Sequence, residues 1–292
     1  MKTFQPCDCD WAVTDYYESM YNNWFVSIKH DGICVYTSPE GPRTRNGKEI
    51  QNPYLRAYLE TLPIGLHGEV CVKDHTRDDA YKTSVSLVMT KHIDKVTHNK
   101  LFEQCQFVIF NAFGGPEFNE KHYINRLVCA TLATQHLEFC RVITLSFVNS
   151  FSEAKQMLDE VDGEGLIIAA GKAPYYHGRC TKTRPYALKL KKKFTFEATI
   201  VGFEQEKYGT NLKSVPEELW GTPKPQAAKL LLTHPKFGSL KVGSGLTKAE
   251  KEDIYQNFDA NWKNQSAHIE AMKAGGYDKP RMPIYKGLRN DI

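Results

Sequence analysis

A lysine that closes an apolar, β-prone run is the residue in this sequence best placed to do chemistry. The run Trp24-Phe25-Val26-Ser27-Ile28 stops at Lys29-His30-Asp31-Gly32, and Ile33-Cys34-Val35-Tyr36 resumes it. A lysine beside a buried strand must be solvated or paired. Burial and nearby positive charge lower such a pKa, leaving some neutral amine to act as a nucleophile. Taken alone, Lys-x-Asp-Gly reads first as an ordinary polar turn. Glu69, inside Leu66-His67-Gly68-Glu69-Val70, and Glu164, ahead of Gly165-Leu166-Ile167-Ile168, could each offer oxygen to a ribose hydroxyl or a divalent cation. Each reads alone as a strand-surface or loop acid. Arg43-Thr44-Arg45-Asn46-Gly47 is by itself a basic turn. In Ala187-Leu188-Lys189-Leu190-Lys191-Lys192-Lys193, strand geometry sets Lys189, Lys191 and Lys193 on one face and Leu188 and Leu190 on the other. Ammonium groups so aligned suit a polyphosphate, or make a solvated charged face. Arg281 and Arg289 bracket Met282-Pro283-Ile284-Tyr285-Lys286-Gly287-Leu288, a layout for forked phosphate contacts or a basic tail.

These residues need strands to hold them. A strand–turn–strand over Trp24–Tyr36 carries Lys29, with the Asp-Gly pair supplying the bend. Further strands are expected at Ile64–Val72, Gln106–Phe110, Val142–Val148 and Gly165–Ala169, with helices near Tyr123–Gln135 and Ser152–Val161. Past the lysine run the texture changes. Short strands at Phe196–Phe203, Lys229–Thr233 and Ser239–Val242, then a helix near Thr247–Phe258, suggest a small β-barrel of the oligonucleotide-binding kind. The boundary is expected near residue 193.

Bulk composition fits such a protein without demanding it. The 292 residues suit two modest domains, and 41% hydrophobic content is enough for a core. A formal charge of +4 permits a polyanionic partner. Eight cysteines without a CxxC pair point to buried thiols in a reducing compartment rather than a zinc site. With neither a signal-like N-terminus nor a spanning apolar run, the expectation is a soluble, intracellular, cytoplasmic protein, in the host cytoplasm if viral.

In their order along the chain, the six pieces resemble the motifs of the covalent nucleotidyltransferases: DNA ligases, RNA ligases and mRNA-capping enzymes. ATP-dependent DNA ligases are the best match. Arg281-x-Pro283-x-x-x-Gly287-x-Arg289 resembles their C-terminal motif, and Phe237-Gly238-Ser239-Leu240-Lys241-Val242-Gly243-Ser244-Gly245-Leu246-Thr247 resembles a glycine-rich stretch of their oligonucleotide-binding domain. Only 28 residues precede Lys29, as in the compact ligases of viruses, phages and some bacteria.

The resemblance implies an α+β fold. Residues 1–193 would form a nucleotidyltransferase (adenylation) domain of ATP-grasp-like antiparallel sheets with helices, and 194–292 an OB-fold barrel. It implies sealing of 3′-hydroxyl/5′-phosphate nicks through a lysyl-AMP and a DNA-adenylate. Lys29 would be the adenylated nucleophile, Arg45 the contact to the nick's 5′-phosphate, and Phe110 the adenine-stacking aromatic, with a core phenylalanine as the other reading. Glu69 and Glu164 would serve nucleotide and metal, Lys189 and Lys191 the phosphates, and Arg281 and Arg289 closure over ATP. All nine would form the ATP site. The implied cofactors are ATP and Mg²⁺, or Mn²⁺ in its place. The implied partner is nicked double-stranded DNA, bound by a monomer with neither membrane nor protein partner. Three positions depart from the pattern: Cys34 replaces an arginine, His67 an aspartate, and Asn111 an aspartate. An RNA ligase, a capping guanylyltransferase and a catalytically idle nucleic-acid binder are the alternatives.

Overall fold

The computed structural model describes residues 3–91, 94–115, 117–118, 120–210, 215–272 and 278–289. The chain divides into two compact units, residues 1–192 and 193–292. In chain order the first unit begins β1 (Cys7–Asp8), α1 (Thr14–Met20), β2 (Trp24–Ile28), β3 (Ile33–Tyr36) and β4 (Arg43–Thr44). It continues α2 (Pro53–Glu60), β5 (Leu66–Val72), α3 (Ala80–Met89), α4 (Lys95–Gln104), β6 (Cys105–Ala112) and α5 (Tyr123–Thr134). It ends β7 (Cys140–Val142), β8 (Ser146–Val148), α6 (Phe151–Glu160), β9 (Gly165–Ala170) and β10 (Ala187–Lys191).

Among the described residues these strands make two five-stranded sheets. One has the order β1-β10-β9-β2-β8, the other β4-β3-β5-β6-β7. In the first sheet Val26, Ile168 and Leu188 form one buried row. They pack with Tyr17 of α1 and with Phe151, Ala154 and Leu158 of α6. Those α6 positions recur every three or four residues and so share a face, and the Ser150 side chain caps the helix by accepting from the Glu153 amide at 3.1 Å. Behind the second sheet, Val35, Val70, Phe107 and Ile109 meet Leu55 and Leu59 of α2, Val88 of α3 and Leu101 of α4. Each such buried side chain contributes about 1.5–3 kcal/mol by leaving water, so both sheets are anchored from behind and keep their opposite faces for other use.

Trp24–Tyr36 is strand, turn, strand, as expected, with its two strands in different sheets: β2 pairs with β8 and β9, whereas β3 pairs with β4 and β5. The chain leaves one sheet at Lys29 and enters the other at Ile33. Gly32 is required there by space. A Cβ would collide with the Val70 carbonyl oxygen and lie 2.7 Å from the Cys71 Cβ. The expectation of one strand over Val142–Val148 needs correction. Its start belongs to β7, parallel to β6, and its end to β8, antiparallel to β2, so this run also crosses between sheets. An apolar run signals burial on both sides, and burial between two sheets gives the same signal as burial within one strand.

The second unit contains β11 (Phe194–Lys207), β12 (Pro223–His234), β13 (Gly238–Val242), α7 (Lys248–Asn257), β14 (Ser266–Met272) and β15 (Arg281–Leu288). They form an antiparallel sheet of order β13-β12-β11-β14-β15. A bridge between Ser244 and Ile284 brings the chain just past β13 against β15, so the sheet curls toward its own edge. Ile200, Leu230, Leu232, Val242 and Ile269 fill its interior with Ile254 of α7 and Trp262. Thr247 and Glu250 form a reciprocal capping box at the start of α7. The lysine run stops being strand at Lys191. Lys193 therefore does not extend the Lys189–Lys191 face; it belongs to the second unit and pairs with Glu270 at 2.8 Å.

Candidate active site

Neighbouring strands β10, β9 and β2 run antiparallel, so the end of β2, the start of β9 and the end of β10 coincide. Lys191 lies across from Gly165, and the Lys29 amide donates to the Gly165 carbonyl at 2.9 Å. This register brings Lys29 to Glu164, and the two side chains are ion-paired and mostly buried. Gly165 carries φ +146°, and a Cβ there would collide with the Leu190 carbonyl oxygen, so β10 closes tightly on this junction. One step along the strands, Ser27, Ile167 and Lys189 form the next row, and Ala169 pairs with Ala187 beyond it.

That face floors a cleft of about 820 Å³, counting the open solvent at its mouth. Its lining includes Ser27, Lys29, Ile167, Ala169, Ala187 and Lys189 from the first sheet and Cys34, Glu69 and Phe110 from the second. Arg45, His30, Tyr123 and the N-terminal residues Phe4, Gln5 and Pro6 complete it. Phe110 reaches the cleft because β6 bulges there: His67 pairs with Asn111 but Gly68 with Ile109, leaving Phe110 as the extra residue. The ring is half-buried, its centroid 4.6 Å from that of His67. It presents a π-face in the same cleft as the lysine.

The electrostatics follow from burial beside cations. Glu69 accepts from the Gly32 amide at 3.2 Å. Burial pushes its carboxyl up to about 7, tempered by the positive charge of Lys29 and Arg45. Burial pulls the Lys189 ammonium below its ordinary value. The His67 imidazole, held near 3 by burial and Arg45, is neutral at working pH and meets the Cys34 sulfur at 3.3 Å. Burial, with Glu69 adding to it, pushes the Cys34 thiol up to about 12. Cys34 and His67 thus make an uncharged contact. Asn111, the third departure, accepts from the wholly buried Arg126 at 3.0 Å and so joins the support behind Phe110.

Of the residues singled out in the sequence, Lys29, Arg45, Glu69, Phe110 and Lys189 line one cleft, Glu164 is bonded to Lys29, and Lys191 stands one turn of the pleat beyond Lys189. Arg281 and Arg289 are on and just past β15 in the second unit, where Arg289 bonds Glu197. Among the described residues no group of three or more His, Cys, Asp or Glu is placed to hold a metal ion. Glu69 and Glu164 do supply hard oxygen donors near Lys29. That is the protein share magnesium takes when phosphates and water provide the rest. Ser27, Gln5, Tyr123 and His30 were not singled out from sequence. Ser27 and His30 could have been, since Ser27 stands two residues before Lys29 on the same strand face and His30 directly follows it; Gln5 and Tyr123 arrive from distant segments.

No protein-family model matches the chain, and no curated protein matches it. Solved structures do. A Lig E DNA ligase superposes with a TM-score of 0.74 at 18% identity, over 99% of this chain and 100% of its own. The Chlorella virus DNA ligase–adenylate gives 0.53 at 20% identity, over 100% of this chain and 99% of its own. The ATP-dependent DNA ligase of bacteriophage T7, in complex with ATP, gives 0.51 at 15% identity, over 99% and 98%. This chain has the α+β fold that these DNA ligases share.

Proposed function

We propose that this protein is an ATP-dependent DNA ligase that seals nicks in duplex DNA, a step shared by replication, repair and recombination. The observation that carries the reading is the Lys29–Glu164 pair, set at a strand end on the floor of a cleft that also holds Glu69, Arg45, Lys189 and the Phe110 ring. In this reading Phe110 stacks on adenine, and Glu69 meets the ribose. The Lys29 amine bonds to the α-phosphorus of ATP as the bond to pyrophosphate breaks, and its proton passes to Glu164, its partner in the structure. Lys189 and Lys191 balance the charge that develops on pyrophosphate. Arg45 then holds the 5′-phosphate of the nick while AMP moves from Lys29 to it, and attack by the 3′-hydroxyl releases AMP. Glu69 and Glu164 are the residues that would hold Mg²⁺, or Mn²⁺ in its place, which supplies Lewis-acid charge neutralisation when bound. Arg281 and Arg289 assist the first step from the second unit. The substrate is nicked double-stranded DNA, gripped chiefly by its phosphates and therefore independent of sequence. The protein acts as a soluble monomer in the cytoplasm; no described helix is long and apolar enough to cross a membrane.

The test is incubation with α-labelled ATP or GTP and Mg²⁺, then denaturation, beside a Lys29→Ala variant. Label from ATP that vanishes in Lys29→Ala, followed by sealing of a nicked DNA duplex, is the expected result. Label from GTP alone would indicate a capping enzyme, and sealing of RNA nicks only an RNA ligase. No label on folded protein first stripped of AMP with pyrophosphate would leave an idle nucleic-acid binder.

A further inference from the structure

The short strand β1 is the part of the molecule the proposed chemistry leaves unexplained. It runs parallel to β10, with Cys7 opposite Leu188 and Asp8 opposite Lys189. Paired residues share a face. Cys7 and Leu188 are both buried in the core, which sends Asp8 to the cleft side with Lys189. On its other flank the N-terminal segment is held by the segment 178–180: the Gln5 amide donates to the Gly178 carbonyl at 2.8 Å, and the Cys180 amide to the Gln5 carbonyl at 2.7 Å. Asp8 is thereby placed between two cations. Its carboxylate lies 3.4 Å from the Lys191 Nζ and 3.1 Å from an Arg179 Nη2, with Lys189 alongside. Three cationic side chains from β10 and the 178–180 segment converge on one half-exposed carboxylate.

We infer that Asp8 is a built-in competitor for the nucleotide's outer phosphates. Lys191, Arg179 and Lys189 form an anion seat, Asp8 occupies it when no nucleotide is bound, and the β- and γ-phosphates of ATP displace Asp8 from it. Arg179 is accordingly a further phosphate-binding residue. The inference rests on the ligase reading for the identity of the polyphosphate, though the seat itself rests on geometry alone. The exchange of one anion for another keeps the cations paired throughout, so their mutual repulsion is never exposed. Because the Asp8 contacts are partly solvated, each is weak enough for a phosphate to replace.

The test measures binding of inorganic tripolyphosphate to the full chain by calorimetry, and the KM and kcat of self-adenylation with ATP. Asp8→Asn and Asp8→Ser should each bind tripolyphosphate about two- to fivefold more tightly. Both should lower KM for ATP by a similar factor with little change in kcat, and Arg179→Gln should bind tripolyphosphate more weakly. Unchanged or weaker binding by both Asp8 variants, with unaltered circular dichroism and Tm, overturns the inference. So does unaltered binding by Arg179→Gln. If the wild-type protein takes no label from ATP, the ligase reading fails while tripolyphosphate binding still decides the seat.

Discussion

Burial of Glu69 in the cleft ties its ionisation to the stability of the fold. Its carboxyl is raised from an ordinary 4.5 to about 7, chiefly by burial. The folded protein therefore binds its proton more tightly than the unfolded chain. Below pH 4.5 the acid is neutral in both states and costs nothing. As pH rises through 7 the folded state must carry a buried charge, and stability is lost. Glu69→Gln removes that titration. The variant should gain on the wild type by about 2–3 kcal/mol at most as pH is raised from 5 to 8, and it should lose most self-adenylation. Urea unfolding at the two pH values checks this; a pH-independent difference would show that Glu69 ionises freely in the fold. Burial favours the neutral forms of Cys34 and His67 as it does that of Glu69, and the His67 ring packs against Phe110.

At the scale of elements, the site exists because β2 and β3 part company. Four residues, Lys29 to Gly32, carry the chain from one five-stranded sheet to the other, so the lysine at the end of β2 faces a wall built by β3, β5 and β6. Gly32 is the tight point, with its backbone against β5 and its amide on Glu69. Gly32→Ala must push β5 away or distort the turn. It should lower stability by about 2 kcal/mol and reduce self-adenylation, because the same shift moves Glu69. A lower urea midpoint with an unchanged slope is the expected observation, and an unaltered midpoint would mean that the turn is looser than the contacts indicate.

At the scale of the whole molecule, the residues proposed for the reaction are divided between two units. Lys29 and the two glutamates are in the first, while Arg281 and Arg289 are in the second. If the arginines assist only the reaction with ATP, Arg281→Ala and Arg289→Ala should each slow self-adenylation by about tenfold or more. Sealing of a pre-adenylated nick should stay close to the wild-type rate. Equal loss in both assays would assign the arginines to DNA contact or folding instead.

Much of the site was legible in the sequence because its chemistry is written in short local pieces. Lys29, Glu69, Glu164 and the Lys189–Lys191 pair each sit on or beside an apolar strand, and strand parity alone puts both lysines of β10 on one face. The helices over α5 and α6 were legible for the same reason, since apolar spacing is local. What the sequence could not decide is which strand lies beside which. The run through Lys29 reads as strand, turn, strand without showing that its strands enter different sheets, and Val142–Val148 reads as one strand, because hydrophobicity reports burial without naming the partner. Asp8 carries no local signal at all: its place between Lys191 and Arg179 depends on a parallel pairing across some 180 residues. The sequence by itself determined the reactive groups, through side-chain type and local periodicity; only the tertiary structure decided their company, because strand pairing and charge proximity arise between segments far apart in the chain.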